Sequence, residues 1–111
     1  MAKTPKSATE FIGGVAPVLA EITDKILYGQ VWKRPGLNPR DRSLITLASL
    51  ISLYRSNELP FHVKRALANG VTRDEIVEMI THLAFYAGWP NANSAVRIVR
   101  TAFSEIDAAK K

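Results

Sequence analysis

The chain has 111 residues, 47% of them hydrophobic, and a formal net charge of +5, which fits one folded domain with a modest core rather than a disordered segment. It contains no cysteine, so disulfides, thiolate metal ligands and thiol redox or nucleophilic chemistry are excluded together. Lys3, Lys6, Lys110 and Lys111 hold most of the surplus charge at the chain ends, and the interior arginines are scattered, which suits small anionic ligands and argues against a nucleic-acid partner.

The first residues, MAKTPKSATEF, carry two lysines but no apolar stretch of signal-peptide length. No run reaches the roughly eighteen apolar residues of a membrane span, so a soluble cytoplasmic protein with no membrane partner is expected. Residues 7–14 open a short helical pattern that Gly13, Gly14 and Pro17 break. A fresh helix is expected from about Ala16, with Pro17 in its first turn, to about Gly29, with Val18, Leu19, Ile22, Ile26 and Leu27 at helical spacing. Val31 and Trp32 lead into WKRPGLNPR, a connecting loop that Trp32 anchors. Asn38 is a good N-cap, Pro39 suits the first helical position, and Asp41 complements the helix dipole. From Arg42 to Tyr54, Leu44, Ile45, Leu47, Leu50, Ile51 and Leu53 surround the helix. A helix apolar all round must be buried on more than one side, so a neighbouring subunit is expected to cover part of it.

Asn57 then reads as the cap of a helix over 57–69, with Pro60 in its first turn and Gly70 stopping it. Thr72 and Glu75 form a capping box that opens the next helix, whose core side is Ile76, Met79, Ile80, Leu83 and Ala87 and which stops at Gly88. Pro90 opens the last helix, with a stripe of Ala92, Ala95, Val96, Val99, Phe103 and Ile106. No segment alternates with strand periodicity and no repeat is evident. The sequence predicts a single all-α domain of about five to six helices with its core over about 16–106.

Both histidines lie between Glu58 and Pro90, and each has a glutamate four residues before it: Glu58 with His62 and Glu78 with His82. Helical spacing of four stacks each pair on one face, within mutual reach. His62 lines up with the apolar Leu59, Val63, Ala66 and Leu67, so it is expected to point inward. His82 shares a stripe with Glu75, Glu78 and Tyr86, a polar seam in which Glu78 is expected to fix the imidazole. A histidine on an apolar stripe is, in isolation, more often a hydrogen-bonded core residue than a catalyst. Two Glu and two His also raise the possibility of a metal. Carboxylate-bridged di-metal bundles, however, use Glu-x-x-His at spacing three with glutamates from two further helices, so no metal or cofactor is expected.

In GQVWKRPGLNPRDRSLITLASLISL and then HVKRALANGVTRDEIVEMITHLAFYAGWPNA, the chain resembles the carboxymuconolactone decarboxylase family over roughly residues 16–103. The resemblance implies an alkyl-hydroperoxidase D-like helical fold and a homo-oligomer, hexamer or trimer, which would cover the over-apolar helix. It also implies a carboxy-lyase that removes carbon dioxide from γ-carboxymuconolactone to give 3-oxoadipate enol-lactone in the protocatechuate branch of aromatic breakdown. The sister branch carries Cys-x-x-Cys-x-x-x-His where this chain has Arg55, Glu58 and His62, so its disulfide cycle is chemically impossible here.

Such a decarboxylation needs no cofactor sink, because electrons flow through the substrate's own double bond into the lactone carbonyl. The protein must clamp the retained carboxylate, face a donor to the developing enolate oxygen, and supply a proton. His62 and His82 are candidates for donor and proton source, with Glu58 orienting or protonating in turn. Arg42 is the first candidate for the clamp, ahead of Arg34 and Arg55, and Trp32 and Tyr86 are candidates to line the pocket. The alternatives are a family member acting on another unsaturated acid or lactone, or a non-catalytic oligomeric binding subunit.

Overall fold

The computed structural model describes residues 12–110; the part of the short helical pattern over 7–11 lies outside them. The chain divides between Pro39 and Arg40 into two units. In the N-terminal one, a turn over 12–16 places Ala16 N–H on the Ile12 carbonyl at 2.8 Å, and helix α1 follows over Pro17–Ile22 with proline in its first turn. The helical path continues as a π-helix over Thr23–Tyr28, so the expected run to Gly29 is present but wider in its second half. Thr23 Oγ1 donates to the Leu19 carbonyl at 2.7 Å, where it competes with the backbone ladder. Gly29 closes the run because any Cβ there would lie 2.4 Å from the Lys25 carbonyl oxygen. Within this unit Ala20 and Trp32 are buried, whereas Val18, Leu19, Ile22, Ile26 and Leu27 are exposed. The expected stripe is therefore an exposed face of the chain. Trp32 sits in a 3-10 turn over Val31–Lys33, its ring centroid 5.8 Å from that of Tyr28, which gives it the anchoring role.

Helix α2 spans Pro39–Ser52, with Asp41 in its first turn. It stops two residues short of Tyr54 because the chain turns left-handed there: Tyr54 has φ +57. Arg55 N–H reaches the Leu50 carbonyl at 2.8 Å and Tyr54 N–H the Ile51 carbonyl at 3.1 Å, the paired bonds of a Schellman ending. Leu47 and Ile51 are buried while Ile45 and Leu53 are exposed, so this helix shows apolar residues to core and surface alike.

Helix α3 spans Leu59–Ala68, and the residue at its N-cap position is Glu58, without a side-chain cap bond. The expected cap at Asn57 is corrected by the turn that precedes the helix. Glu58 N–H meets the Arg55 carbonyl at 3.4 Å and Leu59 N–H the Ser56 carbonyl at 3.3 Å, so the first amides are satisfied by backbone. Gly70, at φ +98, ends the helix as expected.

Helix α4 spans Arg73–Ala87, and the capping box is formed. Thr72 N–H donates to Glu75 Oε1 at 2.9 Å and Glu75 N–H to Thr72 Oγ1 at 3.1 Å. The other Glu75 oxygen accepts from the Arg40 guanidinium, tying the start of α4 to the start of α2. Gly88, at φ +97, breaks the chain before helix α5, Trp89–Ala109.

Helix α5 packs on both α3 and α4. Its buried positions are Ala92, Ala95, Val99 and Ala102, and Val96 is 51% exposed. The expected stripe holds at Ala92, Ala95 and Val99, with Phe103 packed against the core, and is corrected at Val96, which faces out while Ala102 joins the buried side. Alanines admit close helix approach and turn this side inward, at the expense of the larger valine. At one end of the α4–α5 pair Arg73 donates to both Asp107 oxygens, at 2.6 and 3.2 Å, and lies 4.7 Å from the Phe103 ring centroid. Lys64 of α3 pairs with Glu105 of α5 at 3.3 Å. Leu47, Val63, Ile76 and Ile80 join the α5 alanines in one core. Among the described residues there is no strand, and no helix is long and apolar enough to cross a membrane.

Candidate active site

The first residues of α3 give His62 a position fixed from below and behind. Val63, its neighbour in sequence, is fully buried, and His62 N–H meets the Glu58 carbonyl at 3.3 Å. The imidazole is itself partly buried, and the Phe61 ring stands edge-on to it with centroids 5.0 Å apart. Burial pushes the His62 pKa below its ordinary 6.5, and the Arg65 charge pushes it the same way; the Glu58 carboxylate opposes both with a smaller upward pull. Burial and Arg65 therefore favour the neutral imidazole, which has one N–H to donate and one nitrogen to accept. Glu58 is exposed at the mouth of this arrangement.

His82 lies in different surroundings. It is exposed, and its ring centroid is 4.8 Å from that of Tyr86, which is 78% exposed. One turn on, Phe85 and Trp89 meet edge-on at 5.0 Å, both largely in water. The expected polar seam is corrected at Glu78, while Glu75 caps its helix as expected. Glu75 is committed to its cap and to Arg40, and Glu78 makes no ion pair with His82. Both side chains are in water, where such a pair gains little.

The remaining candidates are spread over the chain. Arg42 is partly buried in the first turn of α2, its carbonyl accepting from Thr46 Oγ1 at 2.8 Å. Trp32 and Arg34 belong to the N-terminal unit. Arg55 is exposed, and its guanidinium makes no ion pair or hydrogen bond among the described residues. No side-chain hydrogen bond or ion pair joins the His62 imidazole to His82 or to the Glu58 carboxylate among the described residues. Nor do three or more His, Cys, Asp or Glu side chains there gather into a group able to hold a metal ion. A shallow hollow of about 380 Å³ in the N-terminal unit is lined by Pro17, Ala20, Glu21 and Asp24, and contains none of the candidates.

Sequence reasoning passed over Phe61 and Arg65, which shape the His62 environment, and the Phe85–Trp89 pair. Arg65 lies three residues after His62 and Trp89 four after Phe85, so helical spacing was the available signal for both.

The model of the carboxymuconolactone decarboxylase family matches residues 17–101 of the chain, a span that includes both Glu/His pairs. The 4-carboxymuconolactone decarboxylase of Acinetobacter baylyi is 41% identical over 85 residues, covering 77% of this chain and 63% of that protein. Nitrosuccinic acid decarboxylase npaB of Metarhizium robertsii is 36% identical over 86 residues, covering 78% of this chain and 60% of its own length. The chain thus spans about six tenths of the length of these relatives.

Proposed function

The chain belongs to the carboxymuconolactone decarboxylase family, and on that premise we propose that it is a carboxy-lyase acting on γ-carboxymuconolactone in aromatic catabolism. The observation that carries the reading is the 41% identity to a 4-carboxymuconolactone decarboxylase across the stretch that holds His62 and His82. In the proposed reaction the bond between the γ carbon and the departing carboxylate breaks and carbon dioxide leaves. The electron pair moves through the ring double bond to the lactone carbonyl oxygen, and a proton then adds at the α carbon. Neutral His62 donates its N–H to the oxygen where negative charge develops, a role suited to an imidazole kept neutral by burial. The Glu58 carboxylate pulls the other way, toward the charged imidazolium, but less strongly than burial and Arg65 pull toward the neutral ring. His82, open to solvent, supplies the proton for the α carbon and recovers it from water, with Tyr86 as a wall against the ring. An arginine of the C-terminal unit, Arg42 or Arg55, holds the retained carboxylate. Trp32 is a packing residue in this scheme.

A second reading is favoured by the 36% identity to a nitrosuccinic acid decarboxylase: the same groups acting on a nitro-substituted diacid, with the nitro group as electron sink. The exposed Ile45, Leu53, Val77 and Phe85 of the C-terminal unit support a homo-oligomer, hexamer or trimer, in which second copies cover apolar surface. The protein is placed in the cytoplasm under this reading.

Carbon dioxide release from γ-carboxymuconolactone and from nitrosuccinate by chelator-treated protein tests the proposal, run beside His82→Ala and Glu58→Ala variants checked for helicity. Turnover of the lactone that survives chelation and collapses in the variants is expected. Turnover of nitrosuccinate alone selects the second reading, and release from neither compound overturns both.

A further inference from the structure

Two helices of the C-terminal unit end in the same backbone arrangement with different residues at its left-handed position. After α3, Gly70 N–H meets the Leu67 carbonyl at 3.2 Å and Val71 N–H the Ala66 carbonyl at 2.9 Å, and Gly70 takes φ +98. After α2, Tyr54 occupies the equivalent place at φ +57. A bulky side chain is strained there where glycine is not. The Tyr54 side chain is 62% exposed, so burial within the chain does little to offset that strain. Such a residue is retained where the turn it makes has a use.

What the turn presents is Arg55. Its N–H is held by the Leu50 carbonyl at 2.8 Å, and its own carbonyl accepts from Glu58 N–H at 3.4 Å. The Glu58 carbonyl accepts in turn from His62 N–H at 3.3 Å, so two successive backbone bonds run from the Arg55 main chain to the main chain of His62. Arg40, Lys64 and Arg73 of this unit are committed, to Asp41 and Glu75, to Glu105 and to Asp107, while the exposed Arg97 and Arg100 belong to α5 and not to this turn. The Arg55 guanidinium has no such partner among the described residues and is free to take an external anion.

The two compounds named for the relatives share more than a carboxylate that leaves. In each, the carbon that loses carbon dioxide carries an electron sink, an unsaturated lactone in one and a nitro group in the other. In each it also carries a CH2–COO⁻ arm that stays behind. We propose that Arg55 binds this retained carboxymethyl arm, and that the chain's substrate class is a carbon bearing a departing carboxylate, an electron sink and a carboxymethyl group. The assignment rests on the decarboxylase reading of the same site. A guanidinium fits the arm bidentately and leaves the departing carboxylate unclamped, as loss of carbon dioxide requires.

The test separates binding from turnover. Muconolactone keeps the arm and lacks the departing carboxylate, and its methyl ester removes the arm's charge. Calorimetric titration of both into wild type, Arg55→Gln, Arg55→Lys and Arg97→Gln should show wild type favouring the acid by about tenfold, as for a charge-assisted hydrogen bond. Arg55→Gln should abolish that preference, Arg55→Lys should restore part of it, and Arg97→Gln, which removes an exposed cation of α5, should keep it. On γ-carboxymuconolactone, KM of Arg55→Gln should rise about tenfold with kcat little changed. Equal weakening for acid and ester, an unchanged preference in Arg55→Gln, or no preference in wild type would each overturn the assignment. Arm-dependent binding lost in Arg55→Gln, in a protein that decarboxylates neither compound, would keep the assignment and sink the decarboxylase reading.

Discussion

Glu58 with His62 and Glu78 with His82 repeat one spacing on two helices, and the fold gives the two pairs unlike surroundings. His62 stands at the start of α3 above a fully buried valine, partly withdrawn from water, with Arg65 on one side and Glu58 on the other. His82 stands in the middle of α4 on its outer face, beside an exposed tyrosine and without an ion pair to Glu78. Spacing decides which side chains share a helix face, and the packing of that face decides what the shared face does. In one pair the histidine is tuned by its surroundings toward neutrality. In the other it is presented to whatever approaches.

The comparison breaks most visibly in turnover. His62→Ala should lower kcat for decarboxylation by about 10²–10³-fold, the usual loss when a donor to a developing oxyanion is removed. His82→Ala should lower kcat by about 10²-fold, the lower range for a lost general acid, and added imidazole should recover part of it. A His82→Ala enzyme with wild-type kcat would remove the proton source from the scheme and leave His82 a surface residue.

Smaller effects bear on the supports of each pair. The helix of His82 is fixed at its start by the Thr72–Glu75 box, and Thr72→Ala should cost about 1 kcal/mol in urea unfolding. The corner before His62 is strained at Tyr54. Tyr54→Gly should relieve about 1–2 kcal/mol and lose about 0.5–1 kcal/mol in backbone freedom, a net gain of roughly 0.5 kcal/mol. A loss of stability in that variant would show that the tyrosine ring is packed in the assembled protein. The smallest effect is on the pH dependence of stability. The folded-state pKa of His62 is depressed, so the unfolded chain binds its proton more readily. Stability should be full above about pH 6.5 and fall as pH drops below it toward the folded pKa. Urea midpoints from pH 7.5 to 5 should slope accordingly in wild type and flatten in His62→Gln.

Much of the helical order was legible because its signals are local. The capping box at Thr72, the glycines at 70 and 88, and Pro17, Pro39 and Pro90 in first turns all act through backbone bonds a few residues apart. The α2 ending was not legible, since tyrosine at a left-handed position contradicts the usual preference. The cap at Asn57 failed because backbone carbonyls took the amides that a side chain was expected to hold. The exposure of Val96 beside the buried Ala95 in α5 shows that a valine and an alanine at adjacent helical positions cannot be ranked by hydrophobicity alone when three helices must approach closely. Of the candidate site, the residues were readable and their surroundings were not. Burial of His62 and exposure of His82 depend on which face meets α5, and spacing alone does not carry that.

The most direct test of the account is an NMR titration of the two imidazoles in the intact protein, the only two in the chain, assigned through His82→Gln. The account predicts a His62 midpoint clearly below 6.5 that falls further in Glu58→Gln, because the opposing carboxylate has gone. A His62 midpoint at or above 6.5 would contradict it, since the imidazole would then be substantially charged near neutral pH and the neutral donor at the centre of the proposed chemistry would be lost.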